Sequence, residues 1–175
     1  MKNTFDGKLI LLKVESLSDS SFMSQLVCGA LNASQCSLIL IGVNQEDSKV
    51  VGIKLDSKEM RKIKAKLKTV SEQICDLKER DFPELNFAPV REEVHPTDDR
   101  DYYVIRIAVH SSRSNIYFVD ETENKNSKNF YQLNGDQPTL LNQEDAYKRI
   151  PKLPPIKCFH RHQKCKKPFD HNECE

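Results

Sequence analysis

The apolar positions of this chain fall into strand-like runs and one long helical repeat. The longest run, residues 38–43, predicts a strand that is buried on both faces. A polar turn and a second run at residues 50–53 follow it and predict a hairpin. Gly42 and Gly52 stand at matching places, where a glycine usually marks a bulge or a close backbone approach. The pattern makes this hairpin the predicted centre of the sheet.

Two helices flank this hairpin in the predicted order of elements. Residues 8–15 predict a strand, and a helix that ends near Asn32 follows capping residues at 18–21. Residues 57–80 predict a helix of about 35 Å, capped by Asp56 or Ser57. Its apolar positions alternate spacings of three and four: Met60, Ile63, Leu67, Val70, Ile74 and Leu77. This stripe fits a helix packed across a sheet, or else a coiled-coil seam.

The second half of the chain predicts further strands and one more helix. Residues 87–94, interrupted by Pro89, and residues 102–109 predict a hairpin. Shorter strands are predicted at 116–119 and at 130–133, and a helix at 143–150. The predicted fold class is therefore α+β, with a mixed sheet of about six strands, one long packed helix and two shorter helices.

Prolines 151, 154 and 155 divide the chain of 175 residues. They predict one domain at residues 1–150, a linker at 151–157 and a tail at 158–175. Apolar residues make up 38% and charged residues 30%, with a formal net charge of +1, so any nucleic-acid site must be a local basic patch. No apolar run reaches the about 18 residues of a membrane helix, and the first residues lack a signal-peptide core. These features predict a cytoplasmic protein whose cysteines are thiols or metal ligands.

The first half of the long predicted helix is strongly basic. One acid, Glu59, stands among six cations: Lys58, Arg61, Lys62, Lys64, Lys66 and Lys68. Such a face is ordinarily just solvated, and the alternative is a surface that contacts phosphates.

The tail gathers cysteine and histidine, which suit tetrahedral zinc. Cys158, Cys165, His171 and Cys174 form one complete ligand set, with His160 or His162 as substitutes. The spacing matches no zinc-finger pattern closely, and a basic disordered tail with incidental cysteines is the alternative. A site completed by another part of the chain or by a partner also stays open.

Several short runs resemble the Schlafen core domain, an AlbA-like fold. Gly29-Ala30-Leu31-Asn32 resembles the end of that family's first helix, and residues 38–44 and 50–53 resemble its hairpin. The family's order of elements continues with the strand at 102–109 and Ser111-Ser112, the segment 130–135 and the helix at 143–150. The resemblance covers about residues 8–150 and implies the Schlafen-like fold.

The resemblance also locates the three acids with which RNA-cleaving members bind divalent metal. Their positions fall on Asp6, Leu11 and Asn44 in this chain. Leucine offers no ligand and asparagine only a neutral oxygen, whereas Mg²⁺ or Mn²⁺ prefers carboxylates. Gln35-Cys36-Ser37 also replaces a Gly-Gly pair of the family. The site is therefore predicted to be degenerate, with Glu15 as a candidate substitute acid.

Three functions follow as hypotheses. The first is a non-catalytic Schlafen-like subunit that pairs with an active Schlafen lobe in an endoribonuclease complex for tRNA-like or piRNA-like precursors. Its candidate RNA contacts are Lys13, Arg61, Lys62 and Lys66. The second is an active Mg²⁺- or Mn²⁺-dependent endoribonuclease with a rearranged acid set. The third is a protein-interaction module without a nucleic-acid role, supported by the near-neutral charge and the acidic turn at residues 92–101.

Overall fold

The computed structural model describes residues 7–90, 102–112, 115–120 and 128–149, and it confirms the α+β fold class. In these ranges seven strands form two sheets. The strands are β1 (Lys8–Leu12), β2 (Ser37–Ile41), β3 (Ile53–Lys54), β4 (Glu84–Pro89), β5 (Tyr102–Val109), β6 (Phe130–Asn134) and β7 (Gln137–Leu141). The α-helices are α1 (Ser20–Leu31), α2 (Ser57–Glu72) and α3 (Gln143–Arg149), and 3-10 turns cover Val14–Ser18 and Glu79–Asp81. One long and two shorter helices match the prediction.

The larger sheet is organised around β5. Strand β1 runs parallel to β2, and β2 runs antiparallel to β5. Strand β4 pairs with the other edge of β5, so the predicted hairpin of these two strands is confirmed. Strand β3 continues the line of β2 along β5, because Ile41 pairs with Ile105 and Ile53 pairs with Tyr103.

The predicted hairpin at residues 38–53 is wrong in its pairing. The return segment pairs with β5 instead of β2, apart from one bridge between Val43 and Val50. The Gly42 carbonyl accepts the N–H groups of Val51 at 3.0 Å and Gly52 at 2.8 Å, which closes the segment into a loop. Gly42 and Gly52 have φ of +99° and +74°, which favour glycine. The chain therefore leaves the sheet after β2, forms a loop at residues 42–52, and rejoins the same edge of β5.

Helix α1 is buried almost all round because it lies between the two sheets. It packs against β5 on one side and against β6 and β7 on the other. A helix in that position must be apolar on every side, which fits its run of buried residues from Met23 to Leu31. Gly29 provides the close approach, since a Cβ there would lie 3.2 Å from the backbone carbon of Gln132.

Helix α2 is shorter than predicted. It begins with a capping box, in which the Asp56 carboxylate accepts the Glu59 N–H at 2.7 Å, and it ends at Glu72 instead of near residue 80. The next residues leave the helix because Ile74 forms a bridge with Val119. Asp76 then adopts a φ of +56°, which no α-helix contains. The strand predicted at 116–119 is likewise reduced to isolated bridges at Val119.

The sheet presents two unequal faces. Ile10, Ile39 and Ile105 are fully buried in the core that α1 and α2 cover. Leu9, Leu11, Leu38 and Leu40 alternate with them and therefore point to the opposite face. The prediction that residues 38–43 are buried on both faces is wrong, because Leu38 and Leu40 are only half-buried and Leu9 is 50% exposed.

Asp6, the acidic turn at 92–101, the linker 151–157 and the tail 158–175 with its candidate zinc ligands lie outside the described residues. Among the described cysteines, Cys28 is a buried thiol and Cys75 is a half-buried thiol. None of the helices in the described ranges is long and apolar enough to cross a membrane.

Candidate functional site

The loop at residues 42–52 carries Asn44, the position to which the resemblance assigns an acid of active members. The Asn44 side-chain oxygen accepts the Glu46 N–H at 2.9 Å, and the Asn44 N–H donates to the Lys49 carbonyl at 2.8 Å. The residue is exposed. Its polar groups therefore shape the loop, in the manner of an Asx turn.

The other positions assigned by the resemblance lie on or after β1. The Gln45 side-chain amide donates to the Leu11 carbonyl, so the loop with Asn44 lies beside β1. Glu15 is exposed in the 3-10 turn that follows β1. Asp47 accepts the Lys49 N–H at 3.1 Å and pairs with the Lys49 ammonium at 3.2 Å. Within the described part of the chain, no three His, Cys, Asp or Glu side chains form a group that could hold a metal.

The predicted RNA contacts on α2 serve partly as structural groups. Lys66 donates to the Ser18 carbonyl at 2.8 Å, and the Arg61 Nε donates to the Ser57 carbonyl at 3.1 Å. Lys13 immediately precedes the 3-10 turn that ends at Ser18, so Lys13 and Lys66 flank the same turn. Lys62 is exposed one turn of helix before Lys66. The structure therefore joins Lys13 and Lys66 through this turn and places Arg61 and Lys62 further towards the start of α2.

A second basic ridge of α2, whose lysines were not among the predicted RNA contacts, faces β4. Lys64 and Lys68 are separated from Lys66 by about 200° around the helix, at about 100° per residue. They border a groove of about 260 Å³ between α2 and the segment that leads into β4. The groove is lined by Lys64, Leu67, Lys68, Ser71, Phe82, Pro83 and Leu85, and we call it the α2–β4 groove.

Asn32, from the run that resembles the end of the family's first helix, connects three parts of the fold. Its side-chain amide donates to the carbonyls of Tyr117 at 2.8 Å and Tyr131 at 3.0 Å. Its side-chain oxygen accepts the Tyr117 N–H at 2.9 Å. The Cys28 thiol adds a contact of 3.3 Å to the Tyr117 carbonyl. This asparagine therefore joins α1 to β6 and to the segment 115–120.

The Tyr117 ring extends this connection to the 3-10 turn at Glu79–Asp81. The ring is buried, and its hydroxyl donates to the Asp81 carboxylate at 2.6 Å. Burial, with the neighbouring carboxylate second, raises the pKa of Tyr117 above its ordinary value. Sequence reasoning had no signal for this contact beyond a tyrosine in a short apolar run.

Comparison with protein families matches residues 13–123 to the Schlafen-like domain of nematodes. The match spans more than half of the chain, and the protein belongs to this Schlafen-like family. The resemblance read from the motifs is confirmed. No curated protein sequence matches the chain.

Among solved structures, the chain is similar to the DIP2311 protein of Corynebacterium diphtheriae. The two share 11% sequence identity and superpose with a TM-score of 0.55. The similarity covers 87% of this chain but only 30% of the bacterial one. At this identity the similarity concerns the fold alone.

Proposed function

We propose that this protein is a non-catalytic Schlafen-like subunit of a cytoplasmic endoribonuclease complex. It pairs with a Schlafen-like chain that keeps the metal-binding acids. The complex processes structured or small-RNA precursors of the tRNA-like or piRNA-like kind. In this complex the subunit contributes to assembly and positions the RNA, and the partner carries out the cleavage.

The observation that carries the proposal is the chemistry at the two described family positions. Leu11 offers no oxygen ligand, and the Asn44 oxygen is already engaged by the Glu46 N–H. A metal ion that balances phosphate charge during cleavage prefers carboxylates at such positions. In this proposal the loop and sheet of the family site are retained without a carboxylate at these two positions.

The leucine-bearing face of the sheet supports the pairing part of the proposal. Leu9, Leu11, Leu38 and Leu40 stand on neighbouring strands in register, and Leu9 is half-exposed. Contiguous apolar surface of this kind marks sites of protein association more often than scattered single residues do. We therefore place the contact with the active chain on this leucine face.

The net charge of +1 gives no general attraction to phosphates. The RNA part of the proposal therefore depends on local groups of basic side chains. Lys13, Arg61, Lys62 and Lys66 remain the proposed contacts around the start of α2. Lys66 is the weakest of these, since its ammonium already binds the Ser18 carbonyl. Such contacts position RNA without reading its sequence.

The proposal includes a structural zinc ion in the tail, held by Cys158, Cys165, His171 and Cys174. Thiolates and imidazole are the ligands of tetrahedral structural zinc, and a tail this short needs metal or docking to become ordered. Metal analysis of the purified chain tests the ion, and substitution of Cys165 by serine is expected to lower the zinc content.

The decisive experiment combines size-exclusion chromatography with multi-angle light scattering and a cleavage assay. The chain is run alone, then mixed with an active Schlafen-like chain from the same family. The expected result is a heteromeric peak in the mixture, and cleavage of a structured RNA with Mg²⁺ or Mn²⁺ only when the active chain is present. Leu9→Glu should weaken pairing. Val50→Glu is the matched control, because Val50 is 48% exposed and lies in the loop 42–52.

Two results would contradict the proposal. If the mixture always elutes as separate chains, the assembly role is wrong. If the chain alone cleaves RNA with Mg²⁺ or Mn²⁺ and Glu15→Ala abolishes that cleavage, the protein is an active nuclease with a rearranged acid set.

A further inference from the structure

The α2–β4 groove combines an apolar floor with an exposed aromatic ring. Leu67 and Leu85 form buried and half-buried parts of its lining, and Phe82 is 41% exposed at its edge. Its volume of about 260 Å³ is just below the about 300–1,000 Å³ of sites for drug-sized ligands. The groove therefore suits a single flat ring system better than a whole small-molecule ligand.

Two lysines border this apolar surface. Lys64 Nζ lies 5.8 Å from the centre of the Phe87 ring, which keeps its side chain over β4. Lys68 pairs with Glu72 at 3.9 Å, but both side chains are mostly exposed, so the pair is weak and can exchange for another anion. The two lysines are four residues apart, about 6 Å along the helix axis. That separation is close to the spacing of successive phosphates on an extended strand.

We propose that the α2–β4 groove holds one unstacked base of a single-stranded RNA segment. The base stacks on the Phe82 ring, and Lys64 and Lys68 contact the phosphates on either side of it. Aromatic platforms beside basic side chains bind unpaired nucleotides in this way, with little sequence preference. The inference rests on the proposed RNA role and adds a second contact, on the opposite ridge of α2 from Lys66.

Charge favours a nucleotide over a protein segment as the occupant. The rim is cationic on the helix side, and both ridges of α2 carry lysines, so a strand with regularly spaced phosphates meets positive charge beyond the groove as well. An acidic peptide with one apolar anchor would use the same groove but would need its carboxylates at matching positions. The experiment below separates the two occupants.

The test of the base contact uses fluorescence anisotropy of the whole chain with a labelled oligouridylate and with the same oligomer carrying abasic sites. Phe82→Ala is expected to weaken binding of the intact oligomer about tenfold or more, because one stacked base is lost. The abasic oligomer should bind the wild type more weakly and should not distinguish wild type from Phe82→Ala. Phe82→Leu keeps the apolar bulk and should also weaken binding, whereas Phe82→Trp should preserve it. Circular dichroism melting checks that each variant is folded.

The phosphate contacts are tested by salt dependence. The double variant Lys64→Gln with Lys68→Gln is expected to lower the slope of log affinity against log salt by about 1.4, since each single-strand phosphate contact contributes about 0.7. The charge-matched control is Lys49→Gln with Lys148→Gln, two exposed lysines on the loop 42–52 and on α3. That control should leave the slope unchanged.

The outcomes distinguish this inference from the proposed function. If all Phe82 variants bind intact and abasic oligomers as the wild type does, the groove does not hold a base, while pairing and cleavage by the complex can still stand. If the Phe82 and lysine variants reduce association with the partner chain but not RNA binding, the groove is a protein-docking site and the inference is wrong.

If groove-dependent RNA binding persists although no complex forms with the active chain, the inference stands and the subunit role fails. A deoxyuridine oligomer that binds better than the RNA would overturn the assignment to RNA.

Discussion

Two asparagines that the family resemblance singles out serve different purposes in the fold. Asn32 ends α1 and bonds to Tyr117 and Tyr131, which lie 85 and 99 residues away in the chain. Asn44 follows β2 in the loop 42–52 and bonds to Glu46 and Lys49 within that loop. The first residue joins distant elements, and the second shapes one exposed turn.

This difference separates a residue of the resemblance that maintains the fold from one that, in the proposed function, stands at a degenerate nuclease site. The donor groups of Asn32 cannot be replaced by a carboxylate without loss, because two carbonyl oxygens face them. The Asn44 side chain acts as an acceptor, which a carboxylate can also do. A nuclease site can therefore change at Asn44 while the surrounding scaffold persists.

The largest expected effect comes from Asn32→Asp. The carboxylate would face the carbonyl oxygens of Tyr117 and Tyr131 and would lose both hydrogen bonds. We expect the free energy of unfolding to fall by about 2–6 kcal/mol, because each of the two carbonyls that lose this donor costs about 1–3 kcal/mol. Urea unfolding followed by far-UV circular dichroism measures the change. An unfolding midpoint equal to that of the wild type would show that Asn32 does not hold these elements together.

The sequence predicts elements well where local pattern and burial agree. Helix α1, with its cap and its end at Asn32, and the pairing of β4 with β5 follow from apolar spacing and from Pro89 at an edge. The pairing of the return segment with β5 was missed, because local pattern does not say which neighbour a short strand prefers. The hydrogen bonds of Asn32 were missed for a related reason, since their partners come from remote segments.

A smaller effect is expected from Tyr117→Phe, which removes the hydroxyl that binds Asp81 while keeping the buried ring. We expect a loss of about 1.5–3 kcal/mol at neutral pH, the usual range for a hydrogen bond to a charged group. The effect should depend on pH. Because the folded-state pKa of Tyr117 is raised, its stabilisation is complete below the unfolded value near 10 and is lost as the pH rises through the folded value.

Urea unfolding of the wild type and of Tyr117→Phe, at pH 7 and at increasing pH above 10, measures how the free energy of unfolding depends on pH. The difference between wild type and Tyr117→Phe should shrink as the pH rises, since only the wild type must ionise this hydroxyl. A difference near zero at pH 7 would mean that the contact with Asp81 contributes nothing to stability, and a difference that stays constant as the pH rises would contradict the raised pKa of Tyr117. The Asn115 side-chain amide also donates to the Tyr117 hydroxyl at 3.3 Å. The variant Asn115→Ala therefore measures how much this second hydrogen bond contributes to the free energy of unfolding.

The candidate site was predicted less completely than the fold. The basic character of α2 was evident, but the sequence did not show that Lys66 binds Ser18 or that Lys64 and Lys68 border a groove. That groove exists because α2 ends at Glu72 and the chain turns back, which brings Phe82 and Leu85 beside Leu67. The departure of Ile74 towards Val119 causes this turn, and helical periodicity alone continues through it.

The smallest expected effect comes from Asn44→Asp, the same substitution as at Asn32. The new carboxylate can still accept the Glu46 N–H, and it is exposed, so we expect the free energy of unfolding to change by less than about 0.5 kcal/mol. The variant chain alone should still fail to cleave structured RNA with Mn²⁺, because Leu11 continues to offer no ligand. Urea unfolding and a cleavage assay on the same preparation measure both quantities. A loss of stability as large as that of Asn32→Asp would remove the distinction between the two asparagines, and cleavage by this single variant would show that the site needs only one restored acid.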